Sequence, residues 1–385
     1  MYFEFSEEIK SIKEVSRKFA EKRLRKLEEE DYEKGVTRRE VIEEMGELGF
    51  FGCLIPENYG GTDSGYLAAV VIAEEIARVS GSYAGYFITQ LAGPPVTILK
   101  FGSEEQKEKY INDIISGKVI CLFASTEPDA GSDVASMKSL AVDKGDRYIL
   151  NGAKTWVTNA PLADIGLVWV YTNREKRHHG ISCFIIDMKN TQGVSTKKIK
   201  KLGLKCSEVG EVIFEDVEIM KDNLLGKIGE GFRILMDTLG STRLFAAARA
   251  LGVTGACFEE SLKYAKQRVQ FGKPIAELQM IQSQLAEMFI EHEAAKLLIY
   301  QAAVNKNKGI DDVAEVATAK YFACEAGVKA ATTAVKIFGS YGFSLEYPIS
   351  RYVRDAMAFP ITEGTSNIQK VIIMRNLLKE GISSL

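Results

Sequence analysis

The apolar residues of this chain change their spacing twice, and that limits its architecture more than any single motif does. In the first third they recur every three or four positions. Phe5, Ile9, Ile12, Val15 and Phe19 line one side of a predicted helix whose other side is Lys, Glu and Arg. Ser6, followed by Glu7 and Glu8, supplies a cap and an acidic first turn. Further helices are predicted over 38–48, stopping at Gly49, and over 65–79, 83–101 and 104–116, with a turn cluster at Pro56-Glu57-Asn58-Tyr59-Gly60-Gly61. From about residue 120 the runs become short, β-branched or aromatic, and parted by Gly, Asn or Asp. They lie at 119–124, 140–143, 147–151, 154–158, 165–172, 182–187 and 211–219, with a hairpin turn at Asp143-Lys144-Gly145-Asp146. No helix is predicted between these strands, so they argue for an antiparallel sheet and against a dinucleotide-binding βαβ unit. After Gly229 the helical spacing returns, as two periodic runs within 229–270 and then over 275–308, 311–338 and 367–379. The alanines of 313–335 permit the close helix contacts of a bundle. The expected fold is α+β and multidomain: an all-α N-terminal domain (1–119), a middle antiparallel β domain (120–227) and a C-terminal four-helix bundle (228–385).

Composition removes several function classes. A chain of 385 residues exceeds one core. Its net charge of −3, from 49 basic and 52 acidic residues, leaves no electrostatic footprint for nucleic acid. Six cysteines (Cys53, Cys121, Cys183, Cys206, Cys257 and Cys324) contain no C-x-x-C pair, which suits reduced buried thiols better than a disulfide frame or zinc site. Of three histidines, two are adjacent in Arg177-His178-His179-Gly180, so neither a histidine triad nor a metal site is expected. No apolar run reaches the roughly 20 residues of a membrane span. The start, Met1-Tyr2-Phe3-Glu4, is unlike a signal or transit peptide, and a cytoplasmic location is expected.

One stretch stands out in the middle: Ser125-Thr126-Glu127-Pro128-Asp129-Ala130-Gly131-Ser132, answered by Lys154-Thr155-Trp156-Val157-Thr158-Asn159. Ala130 and Gly131 let backbone approach a ligand, Ser125, Thr126 and Ser132 offer hydroxyls, and Trp156 offers a flat wall with one N–H. Taken alone, the stretch reads first as a glycine turn between strands beside a core tryptophan. Tyr86, Phe87, Thr89, Gln90 and Leu91 have the residue types of a pocket lining, but alone they read first as a buried helix face. Gly226-Lys227-Ile228-Gly229-Glu230-Gly231 lacks the strand before it and the Lys-Ser/Thr after it that a phosphate loop needs, and reads as a linker.

Five motifs in order then decide between these readings. Thr126-Glu127-Pro128-Asp129-Ala130-Gly131-Ser132-Asp133, Trp156-Val157-Thr158-Asn159, Arg268-Val269-Gln270-Phe271-Gly272, Gly339-Ser340-Tyr341-Gly342 and Glu363-Gly364-Thr365-Ser366-Asn367-Ile368-Gln369 span most of the chain. With the helix–strand–helix order, the sequence closely resembles the acyl-CoA dehydrogenases. The stretches 46–51 and 126–134 look most like the glutaryl-CoA branch, alongside enzymes of short, branched or cyclic acyl groups.

The resemblance implies an FAD enzyme that removes an α-proton and a β-hydride from an acyl-CoA thioester, giving the trans-enoyl-CoA. It implies Glu363 as the base; alone, Glu363 reads as an acid answering the dipole of helix 367–379. Gly240-Ser241-Thr242-Arg243, where some members carry the base, has no acid. It further implies that the Glu363 N–H and a flavin hydroxyl hold the thioester oxygen. Phe123, Ser125, Thr126, Gly131, Ser132, Trp156 and Thr158 match positions lining the flavin or thioester. Arg268, Gln270 and Phe271 match positions reaching the FAD of a neighbouring subunit, and Thr365 and Asn367 match contacts to its adenosine diphosphate. Lys336, with Gly339 and Ser340, stands where many relatives contact the pyrophosphate through Gln. Substrate contacts are expected from Ser132, Thr89, Gln90, Leu239, Arg243, Thr362 and Gly364. The implied assembly is a homotetramer, a dimer of dimers, and the implied electron acceptor is an electron-transferring flavoprotein. An oxidase or reductase, or a flavoprotein that dehydrogenates nothing, is the alternative on the same scaffold. Three departures bear on substrate. Thr362 replaces a common Tyr, Gly240 lacks an acid seen in some straight-chain enzymes, and glutaryl-type enzymes carry an Arg near the position of Ala84. No Arg or Lys lies between Gly81 and Leu99, so the pocket is expected to be neutral and the acyl group short, branched, cyclic or aryl-substituted.

Overall fold

The computed structural model describes residues 5–380, so the Met1–Glu4 reading and the last five residues lie outside it. Seven helices come first: α1 (Glu7–Phe19), α2 (Arg25–Asp31), α3 (Arg39–Glu47), α4 (Gly65–Ala77), α5 (Gly81–Ala92), α6 (Pro94–Phe101) and α7 (Glu104–Ile115). Ser6 caps α1 by accepting from Ile9 N at 3.3 Å, as its position suggested. The chain does not stop at Phe19: a π-helical turn, Ala20–Leu24, carries it into α2. The helix expected over 83–101 is two helices. Gly93 takes ψ −114°, outside the helical range, and Pro94, which has no N–H to continue the ladder, starts the second.

An eight-stranded sheet follows: β1 (Cys121–Ala124), β2 (Leu140–Asp143), β3 (Arg147–Thr158), β4 (Ile165–Tyr171), β5 (Ile181–Asp187), β6 (Val194–Lys198), β7 (Val209–Met220) and β8 (Leu224–Leu225), ordered β6-β7-β3-β2-β4-β5-β8. Most pairs are antiparallel. β1 runs parallel to β4, and one bridge joins β2 to β4 in parallel, so the sheet is mixed where β1 is laid against it. β6 has no apolar alternation to announce it: Ser195, Thr196, Lys197 and Lys198 are all exposed and the strand is an edge. The two strands expected at 147–151 and 154–158 are one, β3, with irregular register after Leu150 and after Lys154. β4 is buried on both faces. Leu167, Trp169 and Tyr171 pack into the helical core, and Val168 and Val170 into the sheet's own core. Trp169 Nε1 donates to the Gly231 carbonyl at 2.9 Å, which ties the start of the next helix to the sheet.

The last third is a bundle: α8 (Gly231–Gln267), α9 (Gln279–Asn307), α10 (Val313–Phe338), α11 (Ile349–Ala356) and α12 (Ser366–Glu380), with a β9–β10 hairpin (Val269–Gln270 and Lys273–Pro274) between α8 and α9. The two runs expected within 229–270 are the single helix α8, about 55 Å long at 1.5 Å per residue. Ala323, Ala330, Ala331 and Ala334 of α10 are fully buried, as are Ala247, Ala248 and Ala250 of α8. All six cysteines are buried and unpaired. No helix among the described residues is long and apolar enough to cross a membrane.

The three regions meet at a buried polar knot. Ser80, the N-cap of α5, donates to Glu28 of α2. Tyr32 donates to Asp355 of α11, which also accepts from Leu204 N at 2.5 Å. Arg351 Nε stands 3.7 Å from Glu28 Oε2, too far to bond it. Burial raises the Glu28 pKa from 4.5 to about 7, reinforced by Asp355 and opposed by Arg351 and Ser80. The native state therefore holds a proton between pH 4.5 and 7 that the unfolded chain has lost. The stability this contributes is full below pH 4.5 and lost as pH rises through 7, and a shift of this size corresponds to roughly 3 kcal/mol. The melting temperature is expected to fall from pH 5 to pH 8, and Glu28→Gln to flatten that fall. Equal slopes in the two proteins would remove Glu28 as its source.

Candidate active site

Between α11 and α12 the chain turns through two consecutive left-handed residues, Glu363 (φ +56°) and Gly364 (φ +83°). Glycine adopts that conformation freely; a glutamate pays roughly 1–3 kcal/mol for it and keeps it only where neighbours enforce it. Several do. Lys320, buried on α10, donates to the carbonyls of Phe359 (3.1 Å) and Gly364 (2.7 Å). Gln369 Nε2, from α12, donates to the carbonyls of Glu363 (3.2 Å) and Gly364 (2.9 Å). Arg249 Nη2, from α8, donates to Thr362 Oγ1 at 3.1 Å. Thr365 accepts from Ile368 N at 3.3 Å and so starts α12. The acid is held rather than merely placed.

The carboxylate itself reaches α8, where Thr242 Oγ1 donates to Glu363 Oε2 at 2.6 Å. Two arginines of α8 lie close by, and both are buried. Burial pushes the pKa of Arg243 down, as it does that of Arg249, and the nearby Glu363 carboxylate pulls each back up. Burial lowers Lys320 as well. The Glu363 N–H has no acceptor within the described residues. Beside Arg243, a cavity of about 280 Å³ is lined by Met236, Asp237, Gly240, Asp311 and Val316 among others. A Cβ on Gly240 would have nothing within 4 Å, so the missing side chain is part of that opening. Leu239, one residue earlier, is half-buried.

The second cluster is built on β1 and β3. Lys154 is fully buried, and its Nζ donates to Glu127 Oε1 at 2.7 Å and to the Ser125 carbonyl at 3.3 Å. Glu127 also accepts from Ser139 N at 3.0 Å and from Lys138 N, and Thr155 N donates to the Thr126 carbonyl at 2.9 Å. These bonds fold the loop carrying Gly131 and Ser132 back onto β3. At the second irregularity of β3, Trp156 takes φ +57° and is 61% exposed, between buried Thr155 and Val157. It is not a core tryptophan. The bulge turns its indole out of the sheet, beside half-buried Thr158. Phe123, half-buried on β1, meets Trp169 edge-on at 6.4 Å. Gly131 and Ser132 are exposed, and a Cβ on Gly131 would meet nothing within 4 Å.

Other expected residues lie elsewhere. Gln90 is a structural joint: its amide donates to the carbonyls of Ile114 (3.1 Å) and Val119 (2.9 Å) and accepts from Cys121 N at 2.7 Å. With those groups committed it has no hand free for a substrate, which corrects its expected role. Thr89 is buried and donates to Gly85 within its own helix. Arg268, Gln270 and Phe271 sit on the β9–β10 hairpin, where Phe271 is 91% exposed with φ +53°. Among the described residues no side-chain hydrogen bond ties that hairpin to Trp156 or Glu363. Lys336, Gly339 and Ser340 are exposed at the end of α10, and Asn367 is exposed on α12. Sequence reasoning passed over Thr242, Arg249 and Lys320. Arg249 did carry a signal: it is the only charged residue in the run 244–258 and stands seven residues after Thr242.

The residues present fit a flavin. The bulge on β3 offers an outward indole, the loop clasped onto β3 offers a glycine with open space around it, and the N–H of Glu363 is unspent among the described residues. No group of three or more His, Cys, Asp or Glu among the described residues could hold a metal ion.

Comparison with known proteins agrees along the whole chain. The family descriptions "Acyl-CoA dehydrogenase, N-terminal domain", "middle domain" and "C-terminal domain" match residues 6–118, 122–217 and 229–378. The chain is 43% identical to the glutaryl-CoA dehydrogenase of Desulfococcus multivorans, covering 97% of each protein. It is 42% identical to the Caffeyl-CoA reductase-Etf complex subunit CarC of Acetobacterium woodii, covering 98% of this chain and 100% of that one. A solved glutaryl-coenzyme A dehydrogenase in complex with glutaryl-CoA superposes with a TM-score of 0.96 at 42% identity, over 98% of this chain and 97% of that one.

Proposed function

Because the chain belongs to the acyl-CoA dehydrogenase family, we propose that Glu363 is the base that removes the α-proton of its acyl-CoA substrate. The chain is an FAD-dependent enzyme of acyl-CoA thioesters. When bound, the flavin supplies the acceptor for the β-hydride. What carries the proposal is the Glu363 carboxylate itself, held at 2.6 Å by Thr242 in a left-handed turn that Lys320, Gln369 and Arg249 brace. The unspent Glu363 N–H is a donor for the thioester oxygen, where negative charge grows as the α-proton leaves. Buried Arg243 adds positive field beside the same carboxylate, and Lys320 and Gln369 keep the loop from relaxing.

Phe123, Ser125, Thr126, Gly131, Ser132, Trp156 and Thr158 hold the flavin ring, with Thr365, Asn367, Lys336, Gly339 and Ser340 toward its diphosphate end. The exposed Arg268, Gln270 and Phe271 hairpin completes the site of a neighbouring copy, which requires at least a dimer, and the assembly is a homotetramer built from two such pairs. A 91%-exposed phenylalanine in a strained turn supports that reading, since such a residue is costly in a lone monomer. Electrons leave to an electron-transferring flavoprotein, a reading supported by the Etf complex named for the Acetobacterium woodii relative. The acyl group is short or substituted, in keeping with the small Thr362 beside the base. Anaerobic titration with a panel of acyl-CoA thioesters is expected to bleach the flavin band with at least one member. A flavin that every member leaves oxidised would overturn the assignment.

A further inference from the structure

A strongly basic strip lies at the free edge of the sheet. The segment Lys197-Lys198-Ile199-Lys200-Lys201-Leu202-Gly203-Leu204-Lys205 holds five lysines and no acid, in a chain whose net charge is −3. Lys197 and Lys198 end β6 and Lys200 follows it; all three are exposed. Lys198 pairs with Glu208 at 3.0 Å. Among the described residues Lys197 and Lys200 form no ion pair, although Glu211 stands opposite Lys197 on β7. Lysines on an edge strand ordinarily keep a second strand from adding there, and that accounts for Lys197 and Lys198.

It does not account for what continues beyond the strand. Leu202 is 64% exposed in the middle of the lysines, on a loop that is firmly held. A Cβ on Gly203 would collide with the Arg354 carbonyl, Leu204 N donates to Asp355, and Lys201 Nζ turns inward to the Leu204 carbonyl at 2.7 Å. A leucine held out to water between lysines has the composition of a protein contact, an apolar centre with a charged rim. A phosphate backbone would use the charges and leave the leucine idle. The register of the sheet then says which protein. Lys154 of β3 pairs with Val212 and that with Thr196; Val157 pairs with Gly210 and that with Lys198. Trp156 stands between those two rungs, so Lys197 is level with it, two strand spacings or about 10 Å away. The exposed tryptophan and the basic strip share one stretch of the sheet.

We propose that Leu202, with Lys197, Lys198 and Lys200, is the docking surface for the electron-transferring flavoprotein, which meets it with an acidic face and an apolar socket. The proposal rests on that protein as the acceptor and on Trp156 as a wall of the flavin site. A partner seated there stands beside the bulge that carries the indole. The lysines speed the encounter and make it sensitive to salt, and the leucine sets how long the complex lasts.

The test uses the FAD-loaded enzyme and the oxidised electron-transferring flavoprotein of the source organism. Calorimetry without substrate reads Kd. Turnover with the best thioester of the panel reads KM for the flavoprotein, with ferrocenium as a small acceptor in parallel. The double reversal Lys197→Glu/Lys200→Glu is expected to raise Kd and that KM roughly tenfold or more and to remove most of their salt dependence. Leu202→Ser is expected to raise Kd about tenfold at every ionic strength. Both variants are expected to keep the wild-type rate with ferrocenium and the wild-type assembly. A Kd that neither variant moves overturns the proposal. A changed assembly does so too, by placing the strip between copies of this chain. Binding to phosphatidylserine vesicles or duplex DNA that the double reversal abolishes, with flavoprotein coupling untouched, would give the lysines to a membrane or a nucleic acid and overturn it as well. A wild type that reduces ferrocenium but neither binds nor reduces the flavoprotein overturns the acceptor and the proposal together. Failure of Glu363 as the base is told apart from all of these, because it is read in flavin reduction before any acceptor is present.

Discussion

Glu363→Gln is expected to keep its FAD and its assembly and to reduce that flavin roughly 10³–10⁴-fold more slowly than the wild type, the upper range for loss of a positioned base. Glutamine has the same size and retains an oxygen to accept from Thr242, so the 2.6 Å contact survives. What it lacks is a basic lone pair. The loop should not move, because Lys320, Gln369 and Arg249 grip the backbone carbonyls and Thr362 rather than the acid. Stopped-flow absorbance after mixing with the best thioester of the panel reads the rate, and the flavin spectrum before mixing reports the loaded site. Reduction within tenfold of wild type in a fully loaded variant would move the base elsewhere. Glu363→Asp sharpens the result: it keeps the charge but draws the carboxylate back by one methylene, so a rate between those of wild type and Gln separates position from basicity.

The sequence made the helix–strand–helix order legible because hydrophobic period is a local property, and Ser6, Gly49 and the Asp143–Asp146 turn acted where they stood. It hid what depends on contact across the chain. β6 has no apolar alternation, since its side chains are exposed and only pairing with β7 makes it a strand. The parallel lie of β1 against β4 is a fact of topology, to which residue types are blind. Among site residues, Glu363 was reached through a motif and Trp156 through its rarity. Trp156 alone read as core, because the bulge that turns it outward depends on the register of β3 against β7. Gln90 misled for the opposite reason: a polar residue on a helix near a pocket looks like a ligand contact until its three partners across α7 and β1 are seen. Arg249 stood out as the one charge in residues 244–258, but its bond to Thr362 crosses more than a hundred residues and is invisible to local spacing.

The largest expected loss of stability lies in the Glu127–Lys154 pair. Both residues are buried, and Glu127 accepts from Lys154 Nζ, Ser139 N and Lys138 N together. Burial pushes Lys154 down to about 8 against the pull of Glu127. Burial also works to raise Glu127, but Lys154 and the loop donors outweigh it and hold that carboxylate below its usual range. At neutral pH the pair is ionised. Glu127→Gln leaves the ammonium buried without a counter-charge, with only neutral acceptors: the amide oxygen of the new side chain, the Ser125 carbonyl at 3.3 Å and the Met137 sulfur at 3.8 Å. Breaking one side of such a pair costs about 3–5 kcal/mol. The sign with pH follows from Lys154. Its folded pKa lies below the unfolded 10.5, and losing Glu127 lowers it further. The unfolded variant then binds more protons than the folded one from a lower pH upward, so the variant's stability climbs earlier than the wild type's. Its deficit should be largest near pH 6 and smaller at pH 9. Adding Lys154→Met to the variant removes the stranded charge and should recover part of the loss, but not all, because the Ser139 and Lys138 N–H groups lose their strong acceptor. Urea unfolding at the two pH values, with FAD affinity measured in parallel, reads each step. The loop that Glu127 clasps is the one presenting Gly131 and Ser132, so flavin affinity should fall with stability. A deficit that does not change with pH would mean that Lys154 is not the group left stranded.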